Sequence, residues 1–173
     1  MLFIDLTSST QMAETMAPAD IAAVLNDFFR IVVAAVDEHG GLINKFQGDA
    51  ALAIYGAPLH SDSAATDALA TARTLGIALQ QLPVVDFGIG VTAGSVFAGN
   101  IGAENRYEYT VIGDPVNEAA RLADVAKKEP HRTLASAAAI SLCDNAERAH
   151  WRSSGGRMLR GRSSLTHTSV PIG

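Results

Sequence analysis

The chain has 173 residues, a length that fits one domain, and we treat residues 1–173 as a single domain. Hydrophobic residues make up 48% and charged residues 18%, which is typical of a globular protein and excludes a disordered one. The formal net charge of −5 argues against a nucleic-acid partner, because proteins that grip a nucleic-acid backbone usually carry a basic excess.

The cysteine content and the lengths of the apolar runs indicate the cellular compartment in which the chain is expected. The single cysteine, Cys143, excludes an internal disulfide and cysteine-rich zinc sites, and it suits a reducing, cytoplasmic environment. The longest strongly apolar run, residues 31–36, is far shorter than the ~20 residues that span a bilayer, so we expect no membrane segment and no signal peptide. Because residues 2–4 already read as a core strand, we expect the chain to derive from a longer protein.

The first half of the chain predicts strands and amphipathic helices from the spacing of its apolar residues. The predicted elements are a strand over 2–6, a helix with apolar positions over 21–36, a β-hairpin of strands 42–46 and 50–55, and a helix over 65–79. His39, Gly40 and Gly41 end the first helix, since glycine favours the conformation that closes a helix. Residues 47–49 form the tight turn of the hairpin.

In the second half, a strand over 84–92 follows Pro83, and Gly94 forms a turn before a returning strand over 96–101. A polar loop over 102–106, an apolar stretch over 107–112 and a helix to about residue 128 come next. Asp114 is the predicted N-cap of that helix and Pro115 its first residue. From residue 131 we expect a strand, a short helix and two short strands. The order β-α-β-β-α-β-β-α predicts an α+β fold with helices on a mostly antiparallel sheet.

Two acidic residues, Asp5 and Asp49, stand at a strand end and in a hairpin turn, beside small residues. If the first two strands lie side by side, these carboxylates meet and need positive charge between them. Divalent cations are the usual solution, and two of them ~3.5–4 Å apart form the standard clamp for phosphoryl chemistry. The alternative is that Asp49 is only a turn residue and Asp5 a helix N-cap.

Three further side chains are candidates for ligand binding, each with a structural alternative. Lys45 is either an edge-strand lysine with its head in water or a donor aimed at a ligand. Asn117 and Arg121 are four residues apart, so they share one helix face near a helix start, where anions are favoured. Arg121 there could grip a phosphate with its guanidinium fork, or it could simply be solvated.

Four segments resemble, in order and spacing, the motifs of the class III nucleotide cyclases. They are Phe-Ile-Asp-Leu with the hydroxyl run at 3–10, Asn-Lys-Phe-Gln-Gly-Asp at 44–49, the glycine-marked segments 90–94 and 98–102, and Glu-Tyr-Thr-Val-Ile-Gly-Asp-Pro-Val-Asn-Glu-Ala-Ala-Arg-Leu at 108–122. The last block is the most characteristic of the family. Together the segments cover roughly residues 2–125.

The resemblance implies a ferredoxin-like, palm-type α+β fold and a head-to-tail homodimer with each active site in the cleft between two chains. Asp5 and Asp49 of one chain, with the Leu6 main-chain carbonyl, would bind two divalent cations, Mg²⁺ or Mn²⁺. The β- and γ-phosphates of ATP would lie in a cradle formed by the backbone of Thr7, Ser8, Ser9 and Thr10.

The same resemblance implies an adenylate cyclase, in which the ribose 3′-oxygen attacks the α-phosphorus and pyrophosphate leaves. The second chain would contribute the residues that meet the rest of the nucleotide, namely Lys45 and Thr110 at adenine, Asn117 at the ribose, Arg121 at the α-phosphate and Arg160 at the terminal phosphates.

The resemblance also implies that base selection depends on Lys45 and Thr110. Lys45 has donors only, so it suits adenine N1, whereas guanylate-forming relatives carry an acidic residue at this position. Thr110 departs from the aspartate of many adenylate-forming relatives and agrees with a subgroup of bacterial enzymes. Gly88 stands where some relatives have a basic residue, which points to different phosphate contacts.

Three alternatives stay open beside an adenylate cyclase. The first is a cyclase with relaxed purine selectivity. The second is a degenerate domain that only binds nucleotide or dimerises for regulation; it would be marked by loss of a catalytic residue, but Asp5, Asp49, Asn117 and Arg121 are all present. The third is a related palm-fold enzyme that joins two GTPs, but its Gly-Gly-Asp/Glu-Glu-Phe hairpin is missing.

Overall fold

The computed structural model describes residues 1–7, 12, 14–82 and 85–172. The strands are β1 (Leu2–Leu6), β2 (Leu42–Gln47), β3 (Ala50–Ile54), β4 (Phe87–Val91), β5 (Phe97–Ala103), β6 (Arg106–Ile112), β7 (Thr133–Ser136), β8 (Trp151–Met158) and β9 (Leu165–Pro171). The helices are α1 (Pro18–Glu38), α2 (Ala64–Leu79), α3 (Asp114–Ala126), α4 (Ala137–Leu142) and α5 (Asn145–Arg148). Within the described residues, no helix combines the length and apolarity needed to cross a bilayer.

Seven strands form one sheet in the order β2-β3-β1-β4-β7-β9-β8, and β5 and β6 form a separate two-stranded sheet. Every neighbouring pair in the large sheet is antiparallel except β4 and β7, which are parallel. Helices cover this sheet, so the predicted α+β fold with a mostly antiparallel sheet is confirmed.

The two faces of the large sheet are covered by different helices. On one face, the apolar residues of β1 and β4 pack with buried side chains of α1 and α2, such as Phe28 and Leu69. On the other face, α3 packs on β4 and β1. The apolar side of α3 forms a second cluster with the end of the chain, where Leu122 meets Leu159 and Val170. Strand β1 therefore runs through the middle of the core, with its odd-numbered residues turned toward α3.

Helix α3 approaches β4 unusually closely because β4 presents glycine to it at two positions. A Cβ atom on Gly88 would lie 2.1 Å from the main-chain oxygen of Ala123, and one on Gly90 would lie 2.1 Å from that of Ala119. Real side chains cannot occupy such short distances, so only glycine fits at both sites. These two glycines set the depth at which α3 sits on the sheet.

The predicted elements of the first half agree closely with the structure, whereas the second half differs in strand pairing. The strand expected after Gly94 does not return along β4; β5 pairs with β6 instead. Both edges of β4 are already taken by β1 and β7, so no edge is left for β5. The apolar stretch at 107–112 is therefore a full strand, and the predicted loop at 102–106 shortens to a turn at 104–105.

Three predicted boundaries were wrong. Strand β4 begins at Phe87 rather than at residue 84, and residues 83 and 84 lie outside the described residues. Helix α3 has Gly113 as its N-cap and Asp114 as its first residue, and the Asp114 carboxylate pairs with Arg162. The helix ends at Ala126, two residues before the predicted end.

Two glycine-to-alanine changes, one at the close approach on β4 and one in α2, should have opposite effects on stability. Gly90→Ala should lower the free energy of unfolding by about 3 kcal/mol, because a Cβ would collide with main-chain oxygen that cannot rotate away. Gly76→Ala should instead raise it by about 0.5–1 kcal/mol, since it lies in α2 and its Cβ would meet its nearest atom at 3.7 Å. Urea unfolding followed by circular dichroism measures both; a Gly90→Ala chain as stable as the wild type would contradict this packing.

Candidate active site

Two carboxylates lie at one end of the large sheet. Asp5 is near the end of β1 and is directly opposite Ala50 of β3, and Asp49 immediately precedes Ala50 in the β2–β3 turn. The neighbour of β1 is thus β3 and not β2, which corrects the pairing expected from the sequence. Gly48 takes the left-handed conformation, with φ of 65°, that this tight turn requires. The turn therefore places Asp49 beside the end of β1 where Asp5 lies.

The surroundings of Asp5 change its ionisation. Burial raises the pKa of the Asp5 carboxyl, a hydrogen bond from Lys127 opposes this rise, and the negative charge of Asp49 adds to it. Two carboxylates that sense each other's charge form a set of hard oxygen ligands suited to Mg²⁺ or Mn²⁺. Within the described residues, no three His, Cys, Asp or Glu side chains are grouped to hold a metal ion. A cation here would thus need main-chain or phosphate oxygens as well.

Lys127 is the residue at this site that the sequence analysis missed. Its Nζ lies 2.5 Å from Asp5 Oδ2 and 3.5 Å from Asp124 Oδ1. Burial works against the charged ammonium, but the hydrogen bond and charge of Asp5 raise the pKa of Lys127 overall. The spacing of Asp124 and Lys127 on one helix was visible in the sequence, whereas the pairing with Asp5 joins residues 122 positions apart.

Lys45 and Thr110 come from β2 and β6, which the structure brings together. Strand β2 changes register between Ile43 and Lys45, which is a β-bulge that re-aims the following side chain. Asn44 Nδ2 donates a hydrogen bond to the Tyr109 carbonyl at 2.9 Å, and Lys45 Nζ lies 2.9 Å from Glu108 Oε1. Lys45 therefore lies against β6 close to Thr110.

Glu108 is the second residue at the site that the sequence analysis did not single out. The hydrogen bond from Lys45 lowers the pKa of the Glu108 carboxyl and so favours its ionised form. Since residues 108 and 110 are two apart on one strand, their side chains share a face of β6. Any ligand group that binds Lys45 must compete with this carboxylate.

Asn117 projects from the first turn of α3 and Arg121 from the middle of the helix. Asn117 is exposed and Arg121 is half-buried, and four-residue spacing places them on one face of the helix. In the same chain it is Lys127, not Asn117, that contacts Asp5. Ten residues separate Asn117 from Lys127, which corresponds to ~15 Å along a helix axis. A single chain thus holds the carboxylates and Asn117 at separate places.

The turn between β8 and β9 docks on α3 and carries Arg160. The main chain at Gly161 faces Arg121, whose Nη2 would lie 3.5 Å from a Cβ at that position. Leu159 is fully buried, while Arg160 is exposed. Arg162 was also missed from the sequence: it pairs with Asp114, and its Nη1 lies 3.4 Å from Glu118 Oε1. The structure thereby brings the Arg160 turn to Arg121.

The expected phosphate cradle is described only at its start. Leu6 is buried at the end of β1, and Thr7 is exposed, with its N–H donating to the Asp86 carbonyl at 2.8 Å. Ser8, Ser9 and Thr10 lie outside the described residues. The cradle and the Leu6 carbonyl as a metal ligand therefore stay predictions.

A mostly antiparallel palm-type sheet, with Asp5 and Asp49 close together where β1 ends and β3 begins, is the arrangement expected for the catalytic domain of a class III nucleotide cyclase. The chain belongs to the family Adenylate and Guanylate cyclase catalytic domain, which it matches over residues 1–168. An uncharacterized protein of Mycobacterium tuberculosis (strain ATCC 25618 / H37Rv) is 48% identical over 173 residues, covering 99% of this chain and 32% of that protein. The chain thus spans about a third of the length of the curated relatives it matches.

Solved structures of cyclases share the fold. The adenylyl cyclase CyaB from P. aeruginosa matches with a TM-score of 0.87 and 23% identity, covering 99% of this chain and 92% of that chain. The guanylyl cyclase Cya2 matches with a TM-score of 0.85 and 26% identity, covering 99% and 90%. Adenylyl and guanylyl cyclases thus both share this fold, so the fold does not distinguish between the two bases.

The clamp between Arg162 and α3 predicts a local loss of stability. Arg162→Met should lower the free energy of unfolding by about 2 kcal/mol, because it leaves the buried Glu118 carboxylate with poorer compensation. Arg160→Met, in the same turn but exposed, should change it by less than about 0.5 kcal/mol. Chemical denaturation checks both variants. Equal stability of the two would mean that Arg162 does not hold the turn.

Proposed function

We propose that this domain is an adenylate cyclase that converts ATP to 3′,5′-cyclic AMP and pyrophosphate, acting as a head-to-tail homodimer with two divalent cations. The observation that carries the proposal is the adjacency of Asp5 and Asp49 where β1 ends and β3 begins, in a domain that belongs to the cyclase family. The other catalytic candidates of the same chain, Asn117 and Arg121, project from α3, whose contact with Asp5 is made by Lys127 instead. A second copy would supply them, which makes each site a shared one.

Asp5, Asp49 and the Leu6 carbonyl are the groups that would hold Mg²⁺ or Mn²⁺. Their oxygen atoms are the ligand type that these ions prefer, and triphosphate oxygens would complete the coordination. When bound, the cations lower the pKa of the ribose 3′-hydroxyl and offset the charge of the leaving pyrophosphate. The half-buried position of Asp5 strengthens its attraction for positive charge.

The side chains of α3 and the β8–β9 turn would act on the ribose and the phosphates. Asn117 holds the ribose so that its 3′-oxygen points at the α-phosphorus, which is a positioning effect. Arg121 donates to the α-phosphate oxygens as negative charge grows on them. Arg160, in the turn beside Arg121, would meet the terminal phosphates together with the backbone at Thr7 and the residues after it.

An exposed apolar surface on the β5–β6 hairpin supports assembly with a second copy. Phe97, Tyr107 and Ile112 are 58%, 62% and 56% exposed, and Phe46 on β2 is 49% exposed. Large apolar side chains concentrated on one element are typical of an interaction surface, because burying them removes apolar area from water. The hairpin also carries Thr110, so a dimer formed here would put the base-binding residues at the interface.

ATP is favoured as the substrate by the donor character of Lys45. Its ammonium offers donors only, which suits the acceptor N1 of adenine, and the Thr110 hydroxyl or backbone could accept from the exocyclic amine. Guanine presents a donor at N1, which a lysine cannot satisfy. The Glu108 carboxylate keeps Lys45 oriented toward this face of β6.

Mixing two inactive variants tests the shared site. Asp5→Ala and Arg121→Ala chains should each be inactive, and an equal mixture should recover about a quarter of the wild-type activity, because half of the dimers then have one intact site. Cyclic AMP formed from ATP and Mn²⁺ is the readout. The matched control mixes Asp5→Ala with Asp49→Ala, where every site keeps one lesion and no activity should return. Failure of the first mixture to recover, or equal recovery in the control, would refute the shared arrangement.

A charge reversal at Lys45 tests base recognition. Lys45→Glu should lower kcat/KM for ATP about 100-fold or more, because the substituted carboxylate cannot donate to adenine N1. The free energy of unfolding should change far less, since Lys45 pairs with an exposed carboxylate. Lys128→Glu makes the same change in charge at an exposed position just after the end of α3. It should leave kcat/KM nearly unchanged. An unaltered ATP rate in Lys45→Glu would remove Lys45 from base recognition, and equal use of ATP and GTP by the wild type would favour relaxed selectivity.

A further inference from the structure

The ammonium of Lys127 stands between two carboxylates of different exposure. Asp5, the closer partner, is 20% exposed, whereas Asp124 is 70% exposed and lies one helical turn before Lys127. Both carboxylates are already within 4.0 Å of Nζ. The lysine therefore has two acceptors that it can reach by turning its flexible end, without any movement of the helix.

The stem of Lys127 is fixed by the same close packing that places α3. Gly88 of β4 is directly opposite Asp5 of β1, and a Cβ on Gly88 would lie 2.7 Å from Lys127 Cγ. The lysine stem thus fills the space above Gly88, and its ammonium emerges at Asp5. The positive charge beside Asp5 therefore comes from the end of α3.

We propose that Lys127 competes with a divalent cation for the Asp5 carboxylate, and that Asp124 is the acceptor to which Lys127 moves when the cation binds. This inference rests on the proposed metal-binding role of Asp5. An ammonium in direct contact with Asp5 would be strongly repelled by a cation on the same carboxylate. Moving to Asp124 keeps the ammonium paired, so the exchange costs less than releasing an unpaired lysine.

The competing explanation is that Lys127 assists the ligand, for example by donating to phosphate oxygens. It predicts that removing Lys127 does not tighten cation binding. A competitor weakens cation binding, so its removal must tighten binding. A helper would make no difference to the cation alone, or its removal would weaken binding. Measuring cation affinity without nucleotide therefore separates the two roles independently of catalysis.

The decisive measurement is Mn²⁺ titration of the full chain without nucleotide, with free Mn²⁺ detected by electron paramagnetic resonance. Lys127→Met keeps the apolar stem over Gly88 and removes the charge, so Mn²⁺ should bind about tenfold more tightly. Lys127→Gln is a second uncharged variant and should behave alike. Lys127→Arg keeps the charge and should remain near the wild type. Lys128→Met, the adjacent exposed lysine, is the matched control and should change the affinity less than about twofold.

Asp124 provides the second half of the test. Asp124→Asn should weaken Mn²⁺ binding about threefold in the wild-type chain, because Lys127 then loses its alternative acceptor. In the Lys127→Met background the same change should have less than about a twofold effect, since Asp124 acts through the lysine. Additive effects of the two substitutions would contradict the exchange.

Asp5→Ala distinguishes failure of this inference from failure of the proposed function. If Asp5→Ala leaves Mn²⁺ affinity unchanged, Asp5 is not a metal ligand and the proposed metal site is wrong. If Asp5→Ala removes Mn²⁺ binding but neither Lys127→Met nor Lys127→Gln tightens it, the metal site stands and the competition by Lys127 is refuted. Tighter binding in both uncharged variants, with a normal Lys128→Met control, supports the inference.

Discussion

The close contact between α3 and β4 is the constraint on which the rest of the site depends. Gly88 and Gly90 leave no Cβ atoms between strand and helix, so the main-chain oxygens of Ala119 and Ala123 approach the strand directly. This depth fixes both ends of α3. Its last turn brings Lys127 over Gly88 to Asp5, and its first turn presents Asn117 toward the surface. A larger residue at either glycine would therefore displace catalytic candidates as well as destabilise the core.

Strand order explains how one chain separates the two halves of its proposed site. Strand β3 lies between β1 and β2, so the β2–β3 turn places Asp49 beside Asp5, while β2 becomes the edge that meets β6. The bulge after Ile43 turns Lys45 toward β6, where it pairs with Glu108 and not with Asp5 or Asp49. The acids and the proposed base-recognition residues therefore lie on different elements of one protomer. In the proposed function they meet on one nucleotide only through a second copy, for which the apolar β5–β6 hairpin offers a surface.

The sequence predicted features that depend on local order, and missed those that depend on distant contacts. Apolar periodicity and glycine turns located the strands and helices of the first half to within a few residues, because these signals are local. The pairing of β5 with β6 was missed, since it depends on which edges of β4 are already occupied. Lys127 and Arg162 were missed for a similar reason: their carboxylate partners are 122 and 48 residues away. The roles of Asp5, Asp49, Asn117 and Arg121 came from the motif resemblance and stay predictions.

The ion pairs of the basic side chains at the proposed site indicate which part of a bound nucleotide would contribute most affinity. Lys45 is paired with Glu108 and Lys127 with Asp5, so each must give up a protein carboxylate before it meets a ligand. Across the described part of the chain, Arg121 forms no ion pair within 4.0 Å, and its guanidinium lies against the Gly161 main chain. An unpaired guanidinium can bind phosphate without breaking an existing pair, whereas Lys45 gains only the difference between the base and Glu108. In the proposed function, phosphate binding should therefore supply more affinity than base binding, and purine selectivity should be the property most easily altered by substitution.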